Sequence, residues 1–127
     1  MKKAEVISVL IIYTGGTIGM VHDPKTGSLI PINFKHITKH LPVLDNSGLK
    51  LESVSFNPVM DSSDIDPAFW VQMAEIIEQN YDNYDGFVVL HGTDTMAYSA
   101  SALSFMITNL SKPVIFTGSQ LPIGLLR

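Results

Sequence analysis

Hydrophobic positions along the chain follow two kinds of order. Val6 to Tyr13 is an apolar run rich in β-branched residues and broken only by Ser8, the pattern of a strand covered on both faces of a parallel sheet; it ends in the glycine-rich Thr14 to Gly19. From Met20 to Pro31 the apolar content drops. There His22-Asp23-Pro24-Lys25-Thr26-Gly27-Ser28 carries turn chemistry, which predicts an exposed loop, able to act as a lid, with Gly19 and Gly27 as pivots. Asn33 is placed to cap a short helix with Phe34, Ile37, His40 and Leu41 on one face, stopped by Pro42. Leu49, Leu51, Val54, Phe56 and Val59 predict a second strand, ended by Pro58, that opens into Met60-Asp61-Ser62-Ser63-Asp64. Asp66 as cap, Pro67 at the first helical position, and Trp70, Met73, Ala74, Ile77 and Tyr81 at helical spacing predict a helix ending near Asn80. Phe87-Val88-Val89-Leu90 is a third strand, stopping at His91-Gly92-Thr93-Asp94-Thr95. A helix from Met96 to Leu110, packed through Ala97, Ala100, Ala102 and Ser104, leads to a fourth strand at Pro113-Val114-Ile115-Phe116 and the loop Thr117-Gly118-Ser119-Gln120.

This alternation predicts an α/β fold, a mostly parallel sheet with right-handed crossovers and helices on both faces, three layers in all. In such sheets ligands sit beyond the carboxyl ends of the strands. Four loops are therefore expected on one edge: Thr14 to Gly19, Asp61 to Asp64, His91 to Thr95 and Thr117 to Gln120.

Composition narrows the chemistry those loops can carry. With 127 residues, 46% hydrophobic and 16% charged, the chain reads as one globular domain without repeats or linkers. A formal charge of −4 offers no field for nucleic acid or an anionic membrane surface. The absence of cysteine removes thiolate metal sites, iron–sulfur clusters and a cysteine nucleophile, and the four histidines are scattered, so no metal or cofactor is expected. Met1-Lys2-Lys3 before Val6 to Ile12 imitates a secretory signal. Glu5, the break at Ser8 and the lack of a small-residue cleavage site before Tyr13 argue instead for a first strand and a cytoplasmic address.

Three constellations stand out. Thr14-Gly15-Gly16-Thr17-Ile18-Gly19 lies after a strand, as phosphate cradles do, but its glycines do not fit G-x-G-x-x-G and no G-K-[ST] step follows. Two readings remain for it: a tight turn capped by its threonines, or a nucleophilic Thr17 beside backbone N–H donors at Gly16 that would hold an oxyanion. Gly92-Thr93-Asp94-Thr95 adds a second hydroxyl beside a carboxylate, and Asp94 reads equally as a helix N-cap or as a holder of an ammonium group. Asp61-Ser62-Ser63-Asp64 either terminates a strand or binds ligand. His91, following an apolar strand, reads as a packed, hydrogen-bonded histidine rather than a base. Lys35, His36, Lys39 and His40 read as the solvated face of the short helix.

Four segments, in their order and spacing, resemble the bacterial L-asparaginases, above all the cytoplasmic type I enzymes: Tyr13 to Met20, Met60 to Asp64, Tyr84 to Ala97 and Lys112 to Gln120. T-G-G-T-I-G and H-G-T-D-T-M are jointly very specific. The resemblance implies the flavodoxin-like N-terminal domain of that family and cofactor-free hydrolysis of the asparagine side-chain amide through an acyl-enzyme. It implies Thr17 as nucleophile, Thr93 and Asp94 as second hydroxyl and carboxylate, and Asp94 with Asp61, Ser62 and Ser63 as holders of the amino-acid end of the substrate. Ser119 and Gln120 are expected to line the same edge.

The chain departs from the family pattern in three ways. The family's lysine partner for the second hydroxyl lies beyond the fourth strand and is not reached before Arg127; Lys112 starts that strand at the wrong edge. Nothing corresponds to the small C-terminal domain that helps complete a neighbouring site in a homodimer or homotetramer. The lid tyrosine of many relatives is replaced by Gly27-Ser28-Leu29-Ile30-Pro31. Residues 1–127 are therefore expected to be the N-terminal domain of a longer asparaginase, truncated and inactive alone. An amino-acid-binding module without turnover and the asparaginase-like subunit of a tRNA-dependent amidotransferase are the alternative readings.

Overall fold

A β-branched run buried on both faces needs a strand on each edge and a covering layer above and below. Strand β1 (Ser8–Tyr13) has all of these in the computed structural model, which describes residues 6–34, 41–44 and 46–125. It pairs in parallel with β4 (Lys50–Ser55) on one side and β5 (Gly86–Leu90) on the other, and β5 pairs in parallel with β6 (Val114–Thr117). The sheet order is β4-β1-β5-β6. Tyr13 is level with Ser55 and with Leu90, and Leu90 with Thr117, so the four carboxyl ends form one row.

The two α-helices among the described residues cover one face. Helix α1 (Pro67–Asn80) begins as expected, with the Asp66 carboxylate accepting the Phe69 N–H at 3.0 Å and Pro67 at its first position. Its buried stripe is Phe69, Met73 and Ile77, spaced i, i+4, i+8. Helix α2 (Met96–Met106) buries Ser99 and Leu103. Leu10, Ile12, Phe87 and Val89 supply the sheet side of this core. Ile12, Met73, Ile77 and Val89 are fully buried, each worth about 1.5–3 kcal/mol of transfer free energy. On the opposite face Ile11, Tyr13 and Leu90 pack against Ile18, Ile32 and Phe34.

Several elements differ from the sequence expectation. Val6 and Ile7 are exposed and precede the first strand rather than belonging to it. The second strand is shorter than Leu49 to Val59: as an edge strand it needs only the residues that match β1, and Leu49 and Val59 flank it. The expected loop from Met20 to Pro31 contains an antiparallel pair, β2 (Met20–His22) and β3 (Leu29–Pro31), whose turn is closed by Asp23 bonds to the Lys25 N–H and the Thr26 hydroxyl. Helix α2 stops at Met106, not Leu110: Ile107 turns extended and in against the core, and Asn109 takes a φ of 58°. Its inward face is Ser99 and Leu103, while Ala97 and Ser104 are exposed. The helix expected from Asn33 to Leu41 falls on positions 35–40, outside the described residues; Phe34 and Leu41, at its ends, both pack under the sheet.

Candidate active site

The row of strand ends releases four loops side by side. After β1 the Thr14 N–H and hydroxyl both donate to the Leu90 carbonyl, at 3.0 and 2.9 Å, tying the first loop to the third. The Thr14 carbonyl accepts the Met60 N–H at 2.8 Å, which draws in the segment after β4. Glycine makes this closeness possible. Gly16 has a φ of 87°, and a Cβ there would lie 2.7 Å from the Gly92 backbone; a Cβ on Gly92 would lie 2.6 Å from the Ser62 hydroxyl. Three loops thus stack backbone on backbone.

Each loop presents its polar groups differently. Thr17 opens a short 3-10 turn through Gly19, whose N–H returns to the Gly16 carbonyl at 3.2 Å. That carbonyl also accepts the Tyr13 hydroxyl at 3.2 Å; burial pushes the Tyr13 phenol up to about 12, so it stays a donor. Asp61 accepts both the Ser63 N–H at 2.9 Å and the Ser63 hydroxyl at 2.8 Å, and these bonds, the backbone one foremost, hold its carboxyl below the usual range. Ser62 is buried, and its carbonyl accepts the Thr95 hydroxyl at 2.7 Å. The residue at the helix N-cap position is Thr95, not Asp94, and its side chain caps no helix N–H. Asp94 is exposed, and no described residue bonds its carboxylate.

His91 serves the fold. It is fully buried, with Nδ1 2.6 Å from the Gly92 carbonyl and Nε2 2.8 Å from the Ser99 hydroxyl. A carbonyl only accepts, so Nδ1 carries the proton and Nε2 receives that of Ser99, which in turn accepts from Trp70 Nε1 at 2.9 Å. Burial lowers the His91 pKa and keeps the ring neutral.

These loops enclose a cavity of about 340 Å³. Gly16, Thr17, Asp61, Ser62, Thr93 and Asp94 line it, as do Ser119 and Gln120. Of the residues that the family resemblance assigns to the site, Ser63 alone is absent from the lining; it braces Asp61. Lys112 lies at the opposite end of β6, where its ammonium donates to the Tyr81 carbonyl. Two carboxylates with no basic side chain among the described lining residues favour the cationic end of a ligand, while the Thr17, Ser62 and Thr93 hydroxyls can donate to its oxygens. Among the described residues no cluster of three acidic or histidine side chains is placed to hold a metal. No helix among them is long and apolar enough to cross a membrane.

Sequence reasoning missed three members of this arrangement. Trp70 and Ser99 lie on separate helices and form a hydrogen-bond chain to His91 only in the fold. The sequence pattern assigns Thr95 no role of its own, yet it tethers the Ser62 loop. No local pattern marks either function.

The chain as a whole is similar to known proteins. The family model described as asparaginase, N-terminal, matches residues 8–127. The chain is 50% identical over 125 residues to L-asparaginase 1 of Escherichia coli K12, covering 94% of this chain but 36% of that protein. The crystal structure of L-asparaginase I from Vibrio cholerae superposes with a TM-score of 0.84 at 49% identity, covering 96% of this chain and 36% of that one. A glutamyl-tRNA(Gln) amidotransferase chain from Thermococcus kodakarensis is 39% identical over 121 residues, covering 94% of this chain and 27% of its own length. The chain thus spans about a third or less of the length of each of these relatives.

Proposed function

The chain belongs to the asparaginase family, whose N-terminal domain it carries, and on that premise we propose that the protein hydrolyses L-asparagine to L-aspartate and ammonia through an acyl-enzyme on Thr17. The observation that supports this most directly is the convergence of Thr17, Thr93, Asp94 and Asp61 on one cavity, roomy enough for an amino acid. In this reading Asp94, with Asp61, holds the substrate α-ammonium, and the Ser62 hydroxyl bonds its α-carboxylate. Ser63 acts through Asp61, keeping it ionised.

The Thr17 oxygen adds to the side-chain amide carbon, and backbone N–H groups at the Gly16 turn stabilise the oxyanion. The proton lost by Thr17 passes by way of the Thr93 hydroxyl to the amide nitrogen, which leaves as ammonia, and an ester remains on Thr17. Water then adds to that ester, returning the proton to Thr17 and releasing aspartate. No metal or cofactor enters this scheme. The protein is read as cytoplasmic, and as a homodimer or homotetramer in which further chain length completes the site.

Ammonia release from asparagine and from glutamine, substrates separated by one methylene worth about 1 to 3 kcal/mol, tests the proposal. It is measured for residues 1–127, for the protein at its source length, and for each with Thr17→Ala. Turnover by the source-length protein that Thr17→Ala abolishes supports the reading. Silence from the source-length protein overturns it.

A second reading is an amino-acid-binding module without turnover. It is favoured by the lack of a lysine among the described cavity residues, Lys112 being engaged with Tyr81. It predicts that residues 1–127 bind aspartate or asparagine and release nothing. The amidotransferase role stays a weaker alternative, since its likeness to this chain is the lower.

A further inference from the structure

Gln120, which follows β6, reaches across to the loop after β5 and donates from Nε2 to the Thr93 hydroxyl oxygen at 2.6 Å. Both side chains line the cavity. The two loops are held at this separation by the His91 N–H bond to the Thr117 carbonyl at 3.0 Å. Gly118 adds to this, since a Cβ there would come within 2.6 Å of the His91 carbonyl. A hydroxyl has one proton and two acceptor sites. With one site filled by the Gln120 amide, the Thr93 proton must leave in another direction.

We propose that Gln120 is a positioning residue: its amide locks the Thr93 side chain in one rotamer and turns the hydroxyl proton toward the cavity, readying Thr93 for proton transfer at the Thr17 site. This deepens the hydrolase reading and rests on it. Thr93 is exposed, and no other described side chain bonds its hydroxyl. Loss of the Gln120 bond therefore frees its χ1 and lets its proton turn to solvent. Gln120→Glu would reverse the polarity, because an ionised carboxylate accepts the Thr93 proton and draws it away from the cavity.

The kinetic test uses the source-length protein. Gln120→Ala should lower kcat about tenfold to a hundredfold, the scale of a misplaced reacting group, with KM changed far less. Gln120→Glu should be slow at neutral pH and regain turnover as acid protonates the introduced carboxyl, a pH profile that a merely structural role would not produce. Independently of turnover, three-bond couplings to the Thr93 methyl report χ1 in residues 1–127: one rotamer in the parent, averaging in Gln120→Ala. Parental kcat in Gln120→Ala, or Thr93 couplings unchanged by it, overturns the proposal. Should the parent itself release no ammonia, the hydrolase reading fails instead, and the couplings still judge the Gln120–Thr93 contact.

Discussion

The two ends of the sheet use similar residues for opposite purposes. Toward the amino ends, Asp85 accepts the Ser8 N–H at 2.7 Å and the Ser8 hydroxyl at 2.9 Å. Glu52 accepts the Tyr84 hydroxyl and pairs with Lys50 at 2.7 Å. Lys112 lies over the Tyr81 ring, 4.9 Å from its centre, while the Tyr81 oxygen accepts the Ser111 and Lys112 N–H groups. Every one of these groups is taken up by a neighbour. At the carboxyl ends the backbone is locked by glycine contacts, yet the Thr17 hydroxyl and the Asp94 carboxylate have no described partner. Hydrogen-bonding capacity left over by the fold is what a ligand can use, and it is concentrated at one end.

Matched substitutions at the two ends can break that contrast. The largest effect is expected for Gly16→Ala, which forces a non-glycine residue to a φ of 87° and into the Gly92 backbone. Ammonia release should fall by at least about a hundredfold. Gly86→Ala, whose Cβ would meet the Pro113 ring at 3.2 Å, should keep most of it. Next comes Asp94→Asn: losing a charge-assisted hydrogen bond worth about 1.5–3 kcal/mol should weaken aspartate binding about tenfold to a hundredfold in calorimetry, with the melting temperature unchanged. Asp85→Asn should do the reverse, lowering the melting temperature and sparing binding.

Two pH experiments sharpen the contrast further. The folded pKa of His91 lies below the ordinary 6.5. The unfolded chain therefore binds its proton first, and His91 costs nothing above about pH 6.5. Stability should fall as pH drops from there toward the folded value, with hydrogen exchange rising first at Gly92 to Thr95. The smallest effect is expected for Ser63→Ala. It removes the lesser of the two bonds that depress Asp61, so the acid limb of aspartate binding should move to higher pH, whereas Ser8→Ala beside Asp85 should leave that limb in place.

Much of the architecture was legible because the signals were redundant. Helix α1 carried a cap, an N1 proline and a spaced stripe; β1 and β5 were apolar runs each ending in a glycine-bearing polar loop. The hairpin β2–β3 was not legible, because three residues per strand cannot show a period and its connection reads only as turn residues. The inner face of α2 was misassigned for a related reason: Ala97, Ala100, Ala102 and Ser104 are all small, so size gave no direction, and the choice of Ser99 was made by Trp70 and His91 in other elements. For the site, placing the loops at strand ends was a matter of topology and needed no side-chain detail. The partnership of Gln120 with Thr93 needed the register of β5 against β6, which no local pattern reports.

The central position of β1 has a consequence for synthesis. Its apolar residues are made before either strand that flanks them, and one of the two comes much later: 76 positions separate Thr14 from the Leu90 carbonyl that receives it. At 5–20 residues per second, that is roughly 4–15 s in which the nascent chain carries an unpaired hydrophobic segment. Contacts so distant in sequence also slow the search for the native state. Strand β1, interior in the sheet and made first of the four, is thus where premature association of newly made chains is expected to begin, and where a holding chaperone would have most to cover.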